Sequence, residues 1–350
     1  MTSGLAEVRR LAETGVLDPP ADPAAASEIV ARAAEQGLVA LLDAAVARSP
    51  LGFSTDVRGD LRDKHRACLF DGVQRQALAR RASRRLRESG IRTLALKGVA
   101  LLDFVYDSPA ERPMADVDLF CLESFDAAVA SLEQAGFLAL DRAAHATALR
   151  ERASGGVLEL HRDLTSCRGF FPLDSPALWQ RRCESDDLAR PSAEDLLVQL
   201  AIHAAFQHGF AISLAQWLDF RRLQERAALD PTAVLERARE SRAEGCLFAA
   251  LALARHVVGG AAPEALAAAL EKRAPGAVRR RVAQALGRDP LWLLSPPSAL
   301  GLFRWRVALA AGRRASLLLK TLSPEGGAES LGARAARLTT RLLAAHPSRR

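Results

Sequence analysis

One strand-rich segment interrupts a chain whose apolar residues otherwise recur at helical spacing. Ahead of that segment, apolar side chains recur every three or four residues across positions 25–42 and 69–86, the period of an amphipathic helix. Between positions 91 and 160 the pattern changes to short apolar runs bounded by glycine and proline, which is typical of strands. The helical period returns after Pro191. These changes predict an α+β fold in which helical regions flank a small mixed sheet.

The strand-rich segment is predicted to contain three strands and two helices. The first helix follows the first strand, and the second is expected to start at Ser124 as N-cap and to stop at Gly136. The predicted strands cover residues 93–96, 116–121 and 157–160, and the helices cover residues 99–106 and 124–136. This pattern divides the chain into a helical region at 1–88, a sheet-containing core at 89–190 and a helical domain at 191–350.

The charge is positive, +7 with an isoelectric point near 9.7, which suits a phosphate-rich partner. The basic residues are scattered, apart from an arginine run at 279–281 and a basic C-terminal third. A nucleic-acid partner is therefore allowed by the charge but not indicated by its distribution. Five widely spaced cysteines without zinc-ligand spacing predict reduced thiols. With no signal peptide pattern and no apolar run of bilayer length, we expect a cytoplasmic protein without a membrane partner.

Asp116 and Asp118 form the most informative short motif. Because a strand has a period of two, both carboxylates are expected on one face of the second predicted strand. Neighbouring carboxylates repel each other, and a divalent cation with a preference for oxygen ligands, such as Mg²⁺, would remove that cost. The alternative is a pair of exposed aspartates on an edge strand, and the motif by itself is compatible with both.

Glu159 supplies a third carboxylate in the apolar run of the third predicted strand. His161 lies two positions further on and therefore on the same face. A metal shared with Asp116 and Asp118 would stabilise Glu159, whereas a solvent-facing position on a one-sided sheet is the alternative. The three carboxylates together predict a site for one or two Mg²⁺ or Mn²⁺ ions.

The order of these motifs resembles the nucleotidyltransferase superfamily, and more closely a bacterial branch of nucleotidyltransferase family proteins. The resemblance covers roughly residues 70–225. It is carried by Leu96-Lys97-Gly98, Tyr106, Arg112-Pro113-Met114, Asp116-Val117-Asp118-Leu119, Glu159-Leu160-His161, and a helix opening at Pro191 and followed by His203.

The resemblance implies a metal-dependent enzyme that moves a nucleoside monophosphate, with AMP as the expected group, from an NTP to an acceptor. The acceptor would be a small molecule or a protein. By the same resemblance, residues 89–190 form a nucleotidyltransferase core, and Asp116, Asp118 and Glu159 are its metal-binding catalytic residues. Two alternatives remain open: a non-catalytic interaction protein that retains the fold, and an enzyme that modifies nucleic acid.

Four further residues are expected to bind the NTP. Gly98 would let the backbone approach phosphate at a helix N-terminus. Lys97 would place a point charge on the β- or γ-phosphate, with a solvated lysine at the strand end as its alternative. Arg112 is a second phosphate candidate, with a surface salt bridge as its alternative, and His161 would orient Glu159 or contact the acceptor. The superfamily usually has Gly-Gly or Gly-Ser where this chain has Gly98-Val99, which leaves the mode of triphosphate binding open.

His203 and His208 are five residues apart in a predicted helix. At 3.6 residues per turn they would lie on different faces, so we expect a poor metal pair. His203 is expected to be a hydrogen-bonded packing residue, with a place near the site as its alternative.

Overall fold

The structure is a computed structural model that describes residues 3–102, 104–143, 145–163, 170–185, 188–260, 262–294 and 299–311. Cys167 and the end of the basic C-terminal third, residues 312–350, lie outside the described residues. Within the described residues, buried apolar side chains from both helical regions and the sheet belong to one hydrophobic cluster. No disulfide joins the described cysteines.

The N-terminal region is helical, as predicted. Asp22 caps the second helix by accepting a hydrogen bond from the backbone N–H of Ala25 at 2.8 Å, and Pro23 takes its first position, where a missing N–H costs nothing. The fourth helix has 34 residues and is longer than the predicted segment. The helices are α1 (Ser3–Thr14), α2 (Pro23–Glu35), α3 (Val39–Arg48) and α4 (Thr55–Glu88).

A five-stranded mixed sheet forms the centre, with the order β1-β2-β5-β4-β3. Only the β2–β5 pair is parallel; β1–β2, β5–β4 and β4–β3 are antiparallel. The three predicted strands correspond to β1, β2 and β5 and do share one sheet, so the α+β prediction is confirmed. The strands are β1 (Thr93–Ala95), β2 (Val117–Cys121), β3 (Phe137–Arg142), β4 (Ala146–Glu151) and β5 (Val157–His161).

The β3–β4 hairpin was not predicted. β3 lies at the edge of the sheet, and five of its six residues are exposed, so no alternation of buried and exposed positions marks it in the sequence. The leucines at its centre, Leu138 and Leu140, are equally compatible with a helix. Pairing with β4, rather than burial or local propensity, determines the strand conformation of β3.

The segments that join the first strands differ in detail from the prediction. Helix α5 (Lys97–Leu101) is shorter than the predicted helix at 99–106, and a 3₁₀ turn (Pro109–Glu111) follows it. Helix α6 (Phe125–Gln134) begins where expected, but Ser124 adopts a left-handed conformation with φ of 52° and its side chain makes no cap hydrogen bond. Ser124 is thus the N-cap by position only.

The regular elements among the described residues from 191 onward are all helical, and one short helix and a small hairpin precede them. Ser192 caps the first of these helices, accepting from the backbone N–H of Asp195 at 3.2 Å. None of the described helices is both long enough and apolar enough to cross a membrane. The elements are α7 (Ser175–Gln180), β6 (Cys183–Ser185), β7 (Leu188–Arg190), α8 (Ala193–Ile202), a π-helix (His203–Gln207), α9 (Leu214–Arg226), α10 (Pro231–Glu240), α11 (Glu244–Val258), α12 (Glu264–Arg273), α13 (Gly276–Leu286), a 3₁₀ turn (Pro290–Leu294) and α14 (Ala299–Ala310).

Candidate active site

The parallel pair at the centre of the sheet brings two carboxylates side by side. Asp118 of β2 lies directly opposite Glu159 of β5 in the strand register. Their apolar neighbours Val117 and Leu158 form the adjacent register pair and are fully buried. Since side chains alternate along a strand, the burial of these neighbours in the core turns both carboxylates to the opposite face.

Two nitrogen-bearing side chains hold these carboxylates. Asp118 Oδ1 accepts hydrogen bonds from Lys97 Nζ at 2.6 Å and from His161 Nε2 at 2.8 Å. Glu159 Oε2 lies 3.1 Å from the same Nε2 atom and 3.9 Å from Lys97 Nζ. Because His161 Nε2 faces two carboxylate oxygens, it carries a proton and donates. The Asp118 and His161 side chains are 6% and 3% exposed and that of Glu159 is 28% exposed, so Glu159 is the most accessible of the three.

Charge and burial oppose each other in this cluster. Burial alone would raise the pKa of Asp118, but the Lys97 ammonium and the hydrogen bond from His161 hold it well below its usual range. The hydrogen bond from His161 likewise lowers the pKa of Glu159. Burial alone would lower the pKa of His161, yet its bonds to the two carboxylates raise it. Within the described residues no hydrogen bond holds the Asp116 carboxylate, and burial together with the charge of Asp118 raises its pKa.

The cluster has the composition of a metal site. One ligand atom each from Asp118, Glu159 and His161 lie within 4.8 Å of one another. Two carboxylate oxygens and an imidazole nitrogen suit Mn²⁺ and, with added water, Mg²⁺. Asp116 lines the same cavity but precedes β2 and is not a member of this group. The structure therefore groups His161, rather than Asp116, with the other two predicted ligands.

Lys97 and Gly98 lie where the first strand ends. Lys97 adopts a left-handed conformation with φ of 52°, which is uncommon for a residue with a side chain and stores strain. Gly98 has no such conformation, and a Cβ added to it would meet Met114 Sδ at 3.4 Å, an ordinary contact distance. The unusual backbone therefore belongs to Lys97, and its ammonium group is directed to Asp118.

Arg112 lines the cavity as part of a buried ion pair. Its Nε and Nη2 atoms donate to Asp219 Oδ1 and Oδ2 at 2.7 and 2.8 Å, and Nη1 donates to the carbonyl of Pro113 at 2.8 Å. The hydroxyl of Tyr106 donates to Asp219 Oδ1 at 2.5 Å. The expected alternative, a surface salt bridge, was wrong in one respect: this pair is buried. The sequence analysis missed Asp219, although an acidic residue between Leu218 and Phe220 in an apolar helix face is a recognisable signal.

The cluster opens into a cavity of about 460 Å³. Helices α8 and α9 and the π-helix between them provide a second wall, and Asp219 is the charged side chain among its described residues. The residues of that wall are Leu200, His203, Ala204, Gln207, His208, Ile212, Ser213, Gln216, Asp219 and Phe220. The volume is in the range of small-molecule sites in proteins.

The prediction that His203 and His208 lie on different helical faces was wrong. Their Nε2 atoms are 3.0 Å apart, and both rings line the cavity. The reason is the π-helix at His203–Gln207, whose hydrogen bonds span five residues rather than four and so bring positions five apart onto one face. A π-helix cannot be recognised from apolar spacing, which is why the sequence analysis assumed an α-helix.

Comparison with known proteins places this site in a sequence family. A family described as uncharacterised nucleotidyltransferase matches residues 22–259. The match runs from α2 to the end of α11 and contains every residue that lines the cavity. No curated protein matches the chain.

Proposed function

The chain belongs to the uncharacterised nucleotidyltransferase family, and from that premise we propose that it transfers a nucleoside monophosphate from an NTP to an acceptor with the aid of a divalent metal ion. The observation that carries the proposal is the convergence of Asp118, Glu159, His161 and Lys97 at one cavity. ATP is the first NTP to test, with AMP as the transferred group. The acceptor is a hydroxyl or another oxygen nucleophile on a small molecule or protein.

Asp118, Glu159 and His161 are the proposed metal ligands, and Asp116 is proposed to join them. His161 would bind the ion through Nε2 after releasing the proton that it donates to the two carboxylates. The raised pKa of Asp116 supports this role, because its carboxylate lacks the compensating partner that a cation would supply. A bound Mg²⁺ or Mn²⁺ would supply positive charge for the phosphates and for the acceptor oxygen.

Glu159 is proposed to take the proton of the acceptor. Its lowered pKa keeps it ionised at neutral pH, and it is the most exposed of the three clustered side chains. In the proposed reaction the acceptor oxygen bonds to the α-phosphorus, its proton passes to Glu159, and the bond between the α-phosphorus and pyrophosphate breaks.

Lys97 and Arg112 are proposed to act on the triphosphate in different ways. The Lys97 ammonium reaches into the cavity as a point charge for a phosphate oxygen, with Gly98 beside it. The charge of Arg112 is already compensated by Asp219. We therefore propose that Arg112 contributes chiefly by fixing the loop that leads into β2, through its bond to Pro113.

The test is transfer of label from each α-³²P NTP, with Mg²⁺ or Mn²⁺ and a cell extract. We expect label in an acceptor with wild-type protein and none with Asp118→Asn. Glu133→Gln is the matched control, because this exposed carboxylate does not line the cavity and pairs with Arg142 at 3.0 Å. If wild-type protein neither labels an acceptor nor binds any NTP with Mn²⁺, the result would support the alternative of a non-catalytic interaction protein that retains the fold.

Label that nuclease digestion releases would instead identify a nucleic-acid acceptor. In that case binding should weaken steeply as salt concentration rises, because contacts to phosphates release counterions. Label that survives nuclease and is retained in the small-molecule or protein fraction supports the proposed acceptor class.

A further inference from the structure

Two neutral imidazoles form a hydrogen bond in the wall of the cavity. The Nε2 atoms of His203 and His208 lie 3.0 Å apart. Burial, followed by the positive charge of Lys97, lowers the pKa of both rings, so both are uncharged at neutral pH. Since a neutral imidazole carries one proton, one ring donates from Nε2 and the other accepts.

The surroundings of His203 determine which ring donates. Its Nδ1 atom is buried, and within the part of the chain that the structure describes it has no hydrogen-bond partner. A proton on Nδ1 would be a buried N–H group without an acceptor, which proteins avoid more strongly than an unfilled acceptor. The proton of His203 therefore lies on Nε2 and is donated to Nε2 of His208. His208 must then carry its own proton on Nδ1.

The charges near His208 identify the ligand that this donor suits. The positive charges of Lys97 and Arg306 both act on the His208 ring, and Arg306 is fixed there by a hydrogen bond from Nε to the carbonyl of Phe206 at 2.8 Å. A neutral N–H donor in the positive field of two cationic side chains matches an anionic oxygen. The anionic oxygens of the proposed substrate are those of its triphosphate.

We propose that His208 donates its Nδ1 proton to a phosphoryl oxygen of the NTP, and that His203 is the positioning residue that fixes this tautomer. The identity of the ligand rests on the proposed function, whereas the assignment of the His208 tautomer does not. The π-helix makes the arrangement possible, because in an α-helix the two rings would lie on different faces.

The first experiment measures the tautomer in the ligand-free protein. In protein labelled with ¹⁵N-histidine, long-range ¹H–¹⁵N correlation spectra distinguish the protonated from the unprotonated ring nitrogen, and a His208→Ala spectrum assigns the signal. We expect Nδ1 of His208 to be protonated and Nε2 unprotonated at pH 7.5. A proton on Nε2 of His208, or on both nitrogens, would overturn the proposal.

The second experiment measures binding of a non-hydrolysable ATP analogue with Mg²⁺. His203→Gln keeps an N–H donor near the place of Nε2, whereas His203→Leu removes it. We expect His208→Ala and His203→Leu to weaken binding about tenfold, the effect of one lost hydrogen bond to a charged group, and His203→Gln to bind like wild type. Thermal melting confirms that each variant is folded, and the tautomer measurement on wild type stands even if a variant does not fold.

The outcomes separate this proposal from the proposed function. If wild-type protein does not bind the analogue, the proposed function fails, and the tautomer is judged by its spectrum alone. If wild type binds and His208→Ala binds equally well, the proposed function stands and the role of His208 is refuted. If His203→Gln and His203→Leu weaken binding of the analogue equally, His203 contributes packing and does not fix the tautomer of His208.

Discussion

Replacing Arg112 with alanine is expected to destabilise the fold more than it weakens nucleotide binding. The substitution removes the two donors to the buried Asp219 carboxylate and the bond to Pro113, and leaves Asp219 with Tyr106 as its remaining described partner. Removing one partner of a buried ion pair costs about 3–5 kcal/mol, because the other charge remains buried without compensation. That is a large part of the stability of a typical protein, about 5–15 kcal/mol.

Urea unfolding followed by circular dichroism measures this cost. With an m-value of about 3 kcal/mol/M, a loss of about 3–5 kcal/mol lowers the midpoint by about 1 to 1.7 M. Arg226→Ala is the matched control, since Arg226 makes the same two-bond contact to Asp107 at an exposed position. Exposed ion pairs contribute about 0–1 kcal/mol, so its midpoint should hardly change.

A double-mutant cycle identifies the origin of the effect. Arg112→Met combined with Asp219→Leu removes both charges, and it should be less destabilising than the sum of the two single substitutions. The structural role of Arg112 would be refuted if the two single substitutions lowered the free energy of unfolding additively. It would also be refuted if Arg112→Ala lowered that free energy no more than Arg226→Ala does. A large loss of NTP affinity at unchanged stability would instead restore Arg112 as a direct phosphate ligand.

Three further predictions concern the cluster itself. Lys97→Met should weaken NTP binding in fluorescence titrations and also lower the melting temperature, because it leaves the buried Asp118 carboxylate with His161 as its remaining described partner; unchanged NTP affinity would contradict the phosphate role. Glu159→Gln should fold and bind NTP yet slow label transfer by about 10²–10⁴-fold; transfer at the wild-type rate would remove Glu159 as proton acceptor. Because the folded-state pKa of Asp118 is lowered from its usual 3.8, its carboxylate stabilises the fold above about pH 4 and loses this effect as the pH falls towards the lowered value. The stability difference between wild type and Asp118→Asn should therefore shrink between pH 6 and pH 3 in metal-free urea titrations, and a constant difference would refute it.

The parts of the site that the sequence predicted are those governed by strand periodicity. Asp118 and Glu159 lie in apolar runs whose alternation determines which face each side chain takes. His161 lies two residues after Glu159 and therefore shares its face of β5. A metal shared by the two carboxylates also requires their strands to lie close together, and the two strands pair in the sheet.

The parts that the sequence did not predict depend on contacts between distant segments or on irregular backbone. Asp219 meets Arg112 across 107 positions of the chain, and no local pattern relates the two. His203 and His208 meet only because the helix widens to a π-helix there. The edge strand β3 carries no pattern of its own because its side chains remain mostly exposed.

The strand order has a consequence for how the protein folds. Asp118 and Glu159 are 41 residues apart in sequence but adjacent in the parallel pair, and the β3–β4 hairpin lies between them in the chain. β5 reaches β4 through a short connection, so the carboxylates meet when β5 also pairs with the more distant β2, a non-local step that is slow relative to the closing of hairpins. A ligand that needs both carboxylates cannot bind before this pairing, so it stabilises the completed sheet alone and should slow unfolding of the protein.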